Sequence, residues 1–150
     1  MSMEKYNKIH FIGIGGISMS SLAEILKSKG KTITGSDGVA SNVTKALENI
    51  GIQVSIGQKA ENITPDTDLI VYTAAVREDN PELMAARASG IETVDRAALV
   101  GMMMLEYKFP LSVAGTHGKT TTSSLVTEIF LEAKANPTVS IGGILPSIKG

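Results

Sequence analysis

The chain has 150 residues, 43% hydrophobic and 19% charged, a balance that can bury a core and excludes a disordered tail. Its 14 basic and 15 acidic residues leave a formal charge of -1, so no overall electrostatic footprint for nucleic acid or an anionic membrane exists and any anion must be held locally. There is no cysteine, which excludes disulfides and thiolate metal sites, and no apolar stretch is long enough to span a bilayer; the expectation is a soluble, cytoplasmic protein.

Short apolar runs then alternate with helical patterns. Residues 9–12 read as a strand, followed by Gly13-Ile14-Gly15-Gly16 and a helix with Met19, Leu22, Ala23 and Leu26 on one face. Residues 31–34 form a second strand closed by Gly35-Ser36-Asp37, and Val43, Ala46, Leu47 and Ile50 mark the next helix. Strands follow at 52–56 and 69–73, a helix at 81–88, a strand at 91–94 and a helix at 97–105. Gly30, Gly51 and Gly90 each fall where a helix should stop. Such alternation predicts an α/β fold, a Rossmann-like doubly wound parallel sheet, over residues 1–106. Residues 107–110 bring charge, aromatics and a proline, and read as a linker.

From residue 111 the pattern restarts. Residues 111–114 read as a strand, Gly115 to Thr121 as a phosphate loop, and Val126, Ile129, Phe130 and Ala133 as the apolar stripe of an exit helix, with a further strand at 138–141. Residues 111–150 are too few to bury both faces of a P-loop sheet, since domains typically need about 100 residues. They are expected to be the truncated start of a P-loop ATPase domain, and the whole chain the amino-terminal piece of a longer protein.

Both glycine loops suit anions. At the first, Gly13, Gly15 and Gly16 let the backbone approach a diphosphate at a helix N-terminus, in the crevice beyond the carboxyl ends of the strands. Asp37 falls where a dinucleotide fold places its ribose-binding carboxylate, which keeps an NAD-binding oxidoreductase domain open. Against NAD, Ser18 stands where the third glycine of GxGxxG belongs and Gly16 is extra, a pattern closer to a UDP-sugar cradle. Thr73-Ala74-Ala75 and Asn80 follow the fourth strand, beside that crevice, and Arg96 suits a phosphate or a carboxylate. At the second loop, Gly115-Thr116-His117-Gly118-Lys119-Thr120-Thr121, the N–H groups can cradle ATP, Lys119 can reach its terminal phosphates and Thr120 can ligate Mg²⁺. Val113 replaces the first glycine of a strict GxxxxGK[ST] loop, so only the shorter form is present. His117 is grouped with the ATP contacts and His10 with the structural residues. A non-enzymatic nucleotide-sensing module is the third reading.

Taken together, residues 9–16 with Met19-Ser20, Gly35-Ser36-Asp37, Asn80-Pro81-Glu82, Arg96 and residues 114–122 resemble the Mur ligase family of peptidoglycan synthesis, in order along nearly the whole chain. The resemblance implies a three-domain ATP-dependent ligase joining L-alanine to the carboxylate of UDP-N-acetylmuramate through an acyl phosphate, with only the first domain complete here and the isolated piece inactive. It implies that Gly13, Ile14, Gly15, Gly16, Met19, Ser20, Ser36, Asp37, Thr73, Ala74, Ala75, Asn80 and Arg96 meet the UDP-sugar. It further implies that Gly115 to Thr121 hold ATP, with Lys119 and Thr120 catalytic and Thr120 on Mg²⁺. The chain departs from the family pattern at Ser18, Ser21, Gln58 and Ala98.

Overall fold

The first strand, β1 (Lys8–Ile12), lies at the centre of a five-stranded parallel sheet in the computed structural model, which describes residues 3–142 and residue 147. β2 (Thr32–Asp37) and β4 (Leu69–Tyr72) flank it, and β3 (Gln53–Ile56) and β5 (Glu92–Asp95) form the edges, giving the order β3-β2-β1-β4-β5. Ile9, His10, Phe11 and Ile12 are all buried, as a central parallel strand covered on both faces requires. Four α-helices belong to the described residues of this unit: α1 (Ile17–Ser28), α2 (Asn42–Asn49), α3 (Pro81–Ala88) and α4 (Arg96–Met104).

Strand alternation sorts the two faces. Ile9, Phe11, Ile33, Leu69 and Val71 pack with Leu22 and Leu26 of α1, Leu47 of α2, and Leu99, Met102 and Met103 of α4 in the larger apolar core. Ile12 and Ile70 turn the other way, onto Leu83 and Ala86 of α3. Local chemistry fixes the ends of the helices. Ser41 and Thr44 form a reciprocal capping box on α2, Asn80 caps α3 ahead of Pro81, and the Asp95 carboxylate accepts the Ala98 N–H at 2.7 Å. Gly30, Gly51 and Gly90 take φ of +85°, +81° and +75°, left-handed conformations that close the preceding helices.

Two compact units are formed, Met1–Lys108 and Phe109–Gly150. In the second, α5 (Lys119–Glu132) is the regular element among the described residues. The strands expected at 111–114 and 138–141 are not formed; a parallel strand exists only by pairing its N–H and C=O groups with a neighbour, and the described residues of this unit provide none. The apolar stripe of α5 is correspondingly uncovered, with Ile129 67% exposed. The second strand also runs further than its apolar residues suggest. Gly35, Ser36 and Asp37 belong to β2 because they pair with Phe11 and Ile12 of β1 on one side and Val54, Ser55 and Ile56 of β3 on the other.

Asp68, just before β4, ties down the start of β1: one of its carboxylate oxygens accepts the N–H groups of Asn7 and Lys8, each at 2.8 Å. The Lys8 and Asn7 amides hold its carboxyl below the usual carboxylate range. A carboxyl depressed by folding stabilises the native state above its unfolded value of about 3.9, and that contribution is lost as pH falls through the folded value. Asp68→Ala should therefore melt a few degrees below the natural protein at neutral pH, with the gap closing below about pH 4 in thermal scans.

Candidate functional site

The β1–α1 turn is shaped from the end of β2. The Ser36 carbonyl accepts the N–H groups of Gly13 (2.8 Å) and Ile14 (2.9 Å), the Asp37 carboxylate accepts the Gly15 N–H at 2.8 Å, and the Gly16 N–H reaches the Gly13 carbonyl at 3.3 Å. Glycine is required at two of these places. Gly13 has φ +83°, and a methyl group there would sit 2.7 Å from Thr73 Cγ2; one on Gly15 would sit 2.7 Å from the Asp37 carboxylate.

This corrects the expectation that the glycine amides themselves grip an anion, because those of Gly13, Ile14 and Gly15 are engaged within the protein. The backbone donors left open lie one step on. Gly16 is the N-cap of α1 without a side-chain cap bond, leaving the first-turn N–H groups of Ile17, Ser18 and Met19 without intrahelical partners, at the positive end of the helix dipole. Arg96, the first residue of α4, donates from Nη1 to the Ser18 hydroxyl oxygen at 3.2 Å, bringing a guanidinium to that turn. Sequence proximity does not suggest this pairing.

Beside the turn is a cavity of about 590 Å³. Gly13, Gly16 and Asp37 line one part of it and Thr73, Ala75 and Asn80 another, so six of the expected site residues meet there. Other expected residues contribute through the backbone or from beneath. Ile14 and Met19 side chains are buried in the core, the Ser20 hydroxyl donates back to the Ile17 carbonyl, and Ser36 is wholly buried. Gly15 and Ala74 are not lining residues. Asp37 braces the loop, since its other carboxylate oxygen accepts the Val39 N–H at 3.2 Å.

Gln58, Val76, Arg77, Asp79 and Pro81 also line the cavity. Asn80 both caps α3, accepting the N–H groups of Glu82 and Leu83, and donates from Nδ2 to Gln58 Oε1 at 2.7 Å. Arg77 is held by both oxygens of Asp79 at 3.0 and 2.9 Å, an exposed pair whose weak mutual hold leaves the guanidinium available. Alternation of β1 and β2 would have placed His10, Thr34 and Ser36 on one face; it could not supply their partner. His10 Nε2 lies 2.8 Å from Glu82 Oε1 and His10 Nδ1 lies 2.8 Å from Thr34 Oγ1, in keeping with a structural His10.

The second loop is exposed. Gly118 caps α5 at φ +76°, and Lys119 folds back so that Nζ donates to the carbonyls of Gly115 (2.7 Å) and Thr116 (3.3 Å). Among the described residues, backbone acceptors take the Thr122 N–H, on Gly118, but none of the N–H groups of residues 115–121. His117, Thr120 and Thr121 are exposed, and the Thr120 hydroxyl lies in the first turn of α5. Uncommitted amides, a left-handed glycine and a lysine on its own loop fit a triphosphate. No group of three or more His, Asp or Glu suited to a metal ion occurs among the described residues, nor is any helix there long and apolar enough to cross a membrane.

Comparison with known proteins agrees with the fold. Residues 8–108 match the family model described as "Mur ligase family, catalytic domain". UDP-N-acetylmuramate--L-alanine ligase of Agathobacter rectalis is 58% identical over 142 residues, covering 95% of this chain and 31% of that protein. The crystal structure of UDP-N-acetylmuramate-alanine ligase MurC from Thermotoga maritima superposes with a TM-score of 0.83 at 38% identity, over 95% of this chain and 33% of that one. That of UDP-N-acetylmuramate:L-alanyl-gamma-D-glutamyl-meso-diaminopimelate ligase from Neisseria meningitides gives 0.86 at 30% identity, over 96% and 45%. The chain thus spans about a third of the length of the curated relatives it matches.

The close approaches at the first loop can be weighed by substitution. Gly13→Ala combines a left-handed φ with a steric overlap and should lower unfolding free energy by about 2–4 kcal/mol in urea titrations. Gly30→Ala shares the φ but meets nothing within 4 Å, and should lose only about 1 kcal/mol. Equal losses would contradict the assigned packing against Thr73.

Proposed function

The chain belongs to the Mur ligase family, and from that premise we propose that it is the amino-terminal part of an ATP-dependent carboxylate-amine ligase of peptidoglycan synthesis, acting in the cytoplasm. In this reading residues 1–106 form the UDP-sugar domain, 107–110 a linker, and 111–150 the beginning of the ATP-binding domain. The observation that carries it is the uncapped first turn of α1 with Arg96 on Ser18, beside a cavity large enough for a nucleotide-sugar.

The chemistry needs two anions brought together. A carboxylate resists attack by an amine because it is charged and its oxygen leaves poorly. Transfer of the γ-phosphoryl group of ATP to the muramoyl carboxylate removes both obstacles, releasing ADP; the L-alanine amine then displaces phosphate from the acyl phosphate and forms the amide. The chain's own part is binding and orientation. First-turn N–H groups of α1 and Arg96 would hold the diphosphate of UDP-N-acetylmuramate, with Thr73, Ala75 and Asn80 along the cavity. Residues 115–121 would hold the ATP phosphates, and Lys119, released from the Gly115 and Thr116 carbonyls, would offset charge on the transferring group. Thr120 would offer a hydroxyl to Mg²⁺, which supplies further charge neutralisation when bound. Use of Asp37 to brace Gly15 does not favour the NAD reading.

Calorimetry on this chain should show binding of UDP-N-acetylmuramate and none of NAD, and Arg96→Ala should weaken the former by about tenfold or more. In a full-length protein carrying this sequence, Lys119→Ala should keep UDP-sugar binding and reduce amide formation about a hundredfold or more. Tight NAD binding, or an Arg96→Ala variant that binds the UDP-sugar unchanged, would contradict the assignment.

A further inference from the structure

Beneath the glycine turn lies a buried polar chain that the binding site does not use directly. Glu82 is 0% exposed and does not line the cavity; its Oε1 meets His10 Nε2 at 2.8 Å, and its Oε2 accepts the Ser36 hydroxyl at 2.5 Å. A carboxyl group removed from water persists only when its oxygens are partnered, so these contacts are strongly specified. Ser36 is also the residue whose carbonyl accepts the Gly13 and Ile14 N–H groups. One side chain in the first turn of α3 therefore fixes the residue from which the β1–α1 turn hangs. Two residues earlier on the same turn, Asn80 lines the cavity and holds Gln58.

We propose that Glu82 is a positioning residue for nucleotide-sugar binding: through the Ser36 hydroxyl it sets the place of the Ser36 carbonyl, and through that carbonyl the direction in which the first-turn amides of α1 point. What matters is the pair of hydrogen bonds, not the charge. A glutamine could take the same place, accepting from Ser36 through its oxygen and donating to His10 Nε2 in the other imidazole tautomer. The inference rests on the UDP-sugar reading for its ligand, while the state of the turn can be read without one.

Two measurements on the natural chain, Ser36→Ala, Glu82→Ala and Glu82→Gln decide it, each made well below the melting temperature of the variant. Without ligand, hydrogen exchange at the Gly13 and Ile14 amides should quicken about tenfold in Ser36→Ala and at least as much in Glu82→Ala, with Glu82→Gln near natural and the amides late in α1 unchanged. With UDP-N-acetylmuramate, the same order should appear as a Kd raised about tenfold in the two alanine variants and restored by glutamine. Should Glu82→Ala fail to fold, the serine and glutamine variants carry the test. Unchanged exchange and affinity in Ser36→Ala, or a glutamine variant lacking both hydrogen-bond effects of the natural residue, would overturn the proposal. A natural chain that binds no UDP-sugar would strike the functional reading and the proposed ligand role together, and the exchange data would still decide whether Glu82 braces the turn.

Discussion

The Ser36 carbonyl, accepting two successive amides of the β1–α1 turn, is the interaction on which the site depends. It joins the carboxyl end of β2 to the turn leaving β1, so the positions of two strands dictate where α1 begins. Asp37 continues the work by taking the Gly15 N–H. With these donors engaged, the turn has no amides of its own to offer a ligand, and the uncapped first turn of α1 becomes the nearest group of backbone donors. The glycines follow from the same geometry, since side chains at positions 13 and 15 would strike Thr73 and Asp37.

The sheet is unequal on its two sides, and that inequality serves the site. The face under α1, α2 and α4 is apolar, while the face under α3 combines a small apolar cluster with His10, Thr34, Ser36 and Glu82. A buried ion-capable pair is a poor source of net stability compared with a well-packed apolar pair, whereas breaking it is costly. Such a network can nevertheless hold α3 and β2 in one relative position. That position matters because Asn80, at the head of α3, lines the cavity, and Ser36, near the end of β2, holds the turn beside it.

Much of the fold was legible because its signals are local. Alternation of apolar runs with helical stripes located all five strands of the sheet, and Gly30, Gly51 and Gly90 marked helix ends because only glycine adopts their backbone conformation readily. Gly13, Gly16, Asp37, Thr73, Ala75 and Asn80 could be placed near one crevice since parallel strands open their carboxyl ends to the same side. Interactions across long sequence separations were hidden. Nothing near Asp37 says that it will brace Gly15 instead of facing solvent, and nothing near His10 announces Glu82. Gln58, Arg77 and Asp79 lie in loops whose residues carry no periodicity. Residues 111–114 read as a strand because they are apolar, but a strand is made by its neighbours.

An amide-resolved NMR titration of the chain with UDP-N-acetylmuramate tests the central claim most directly. The account predicts the largest shifts at the Ile17, Ser18 and Met19 N–H groups and at the Arg96 guanidinium, with the Gly13 and Ile14 amides keeping their protection from exchange. Shifts centred on Gly13 and Ile14 with loss of that protection, and none in the first turn of α1, would contradict it.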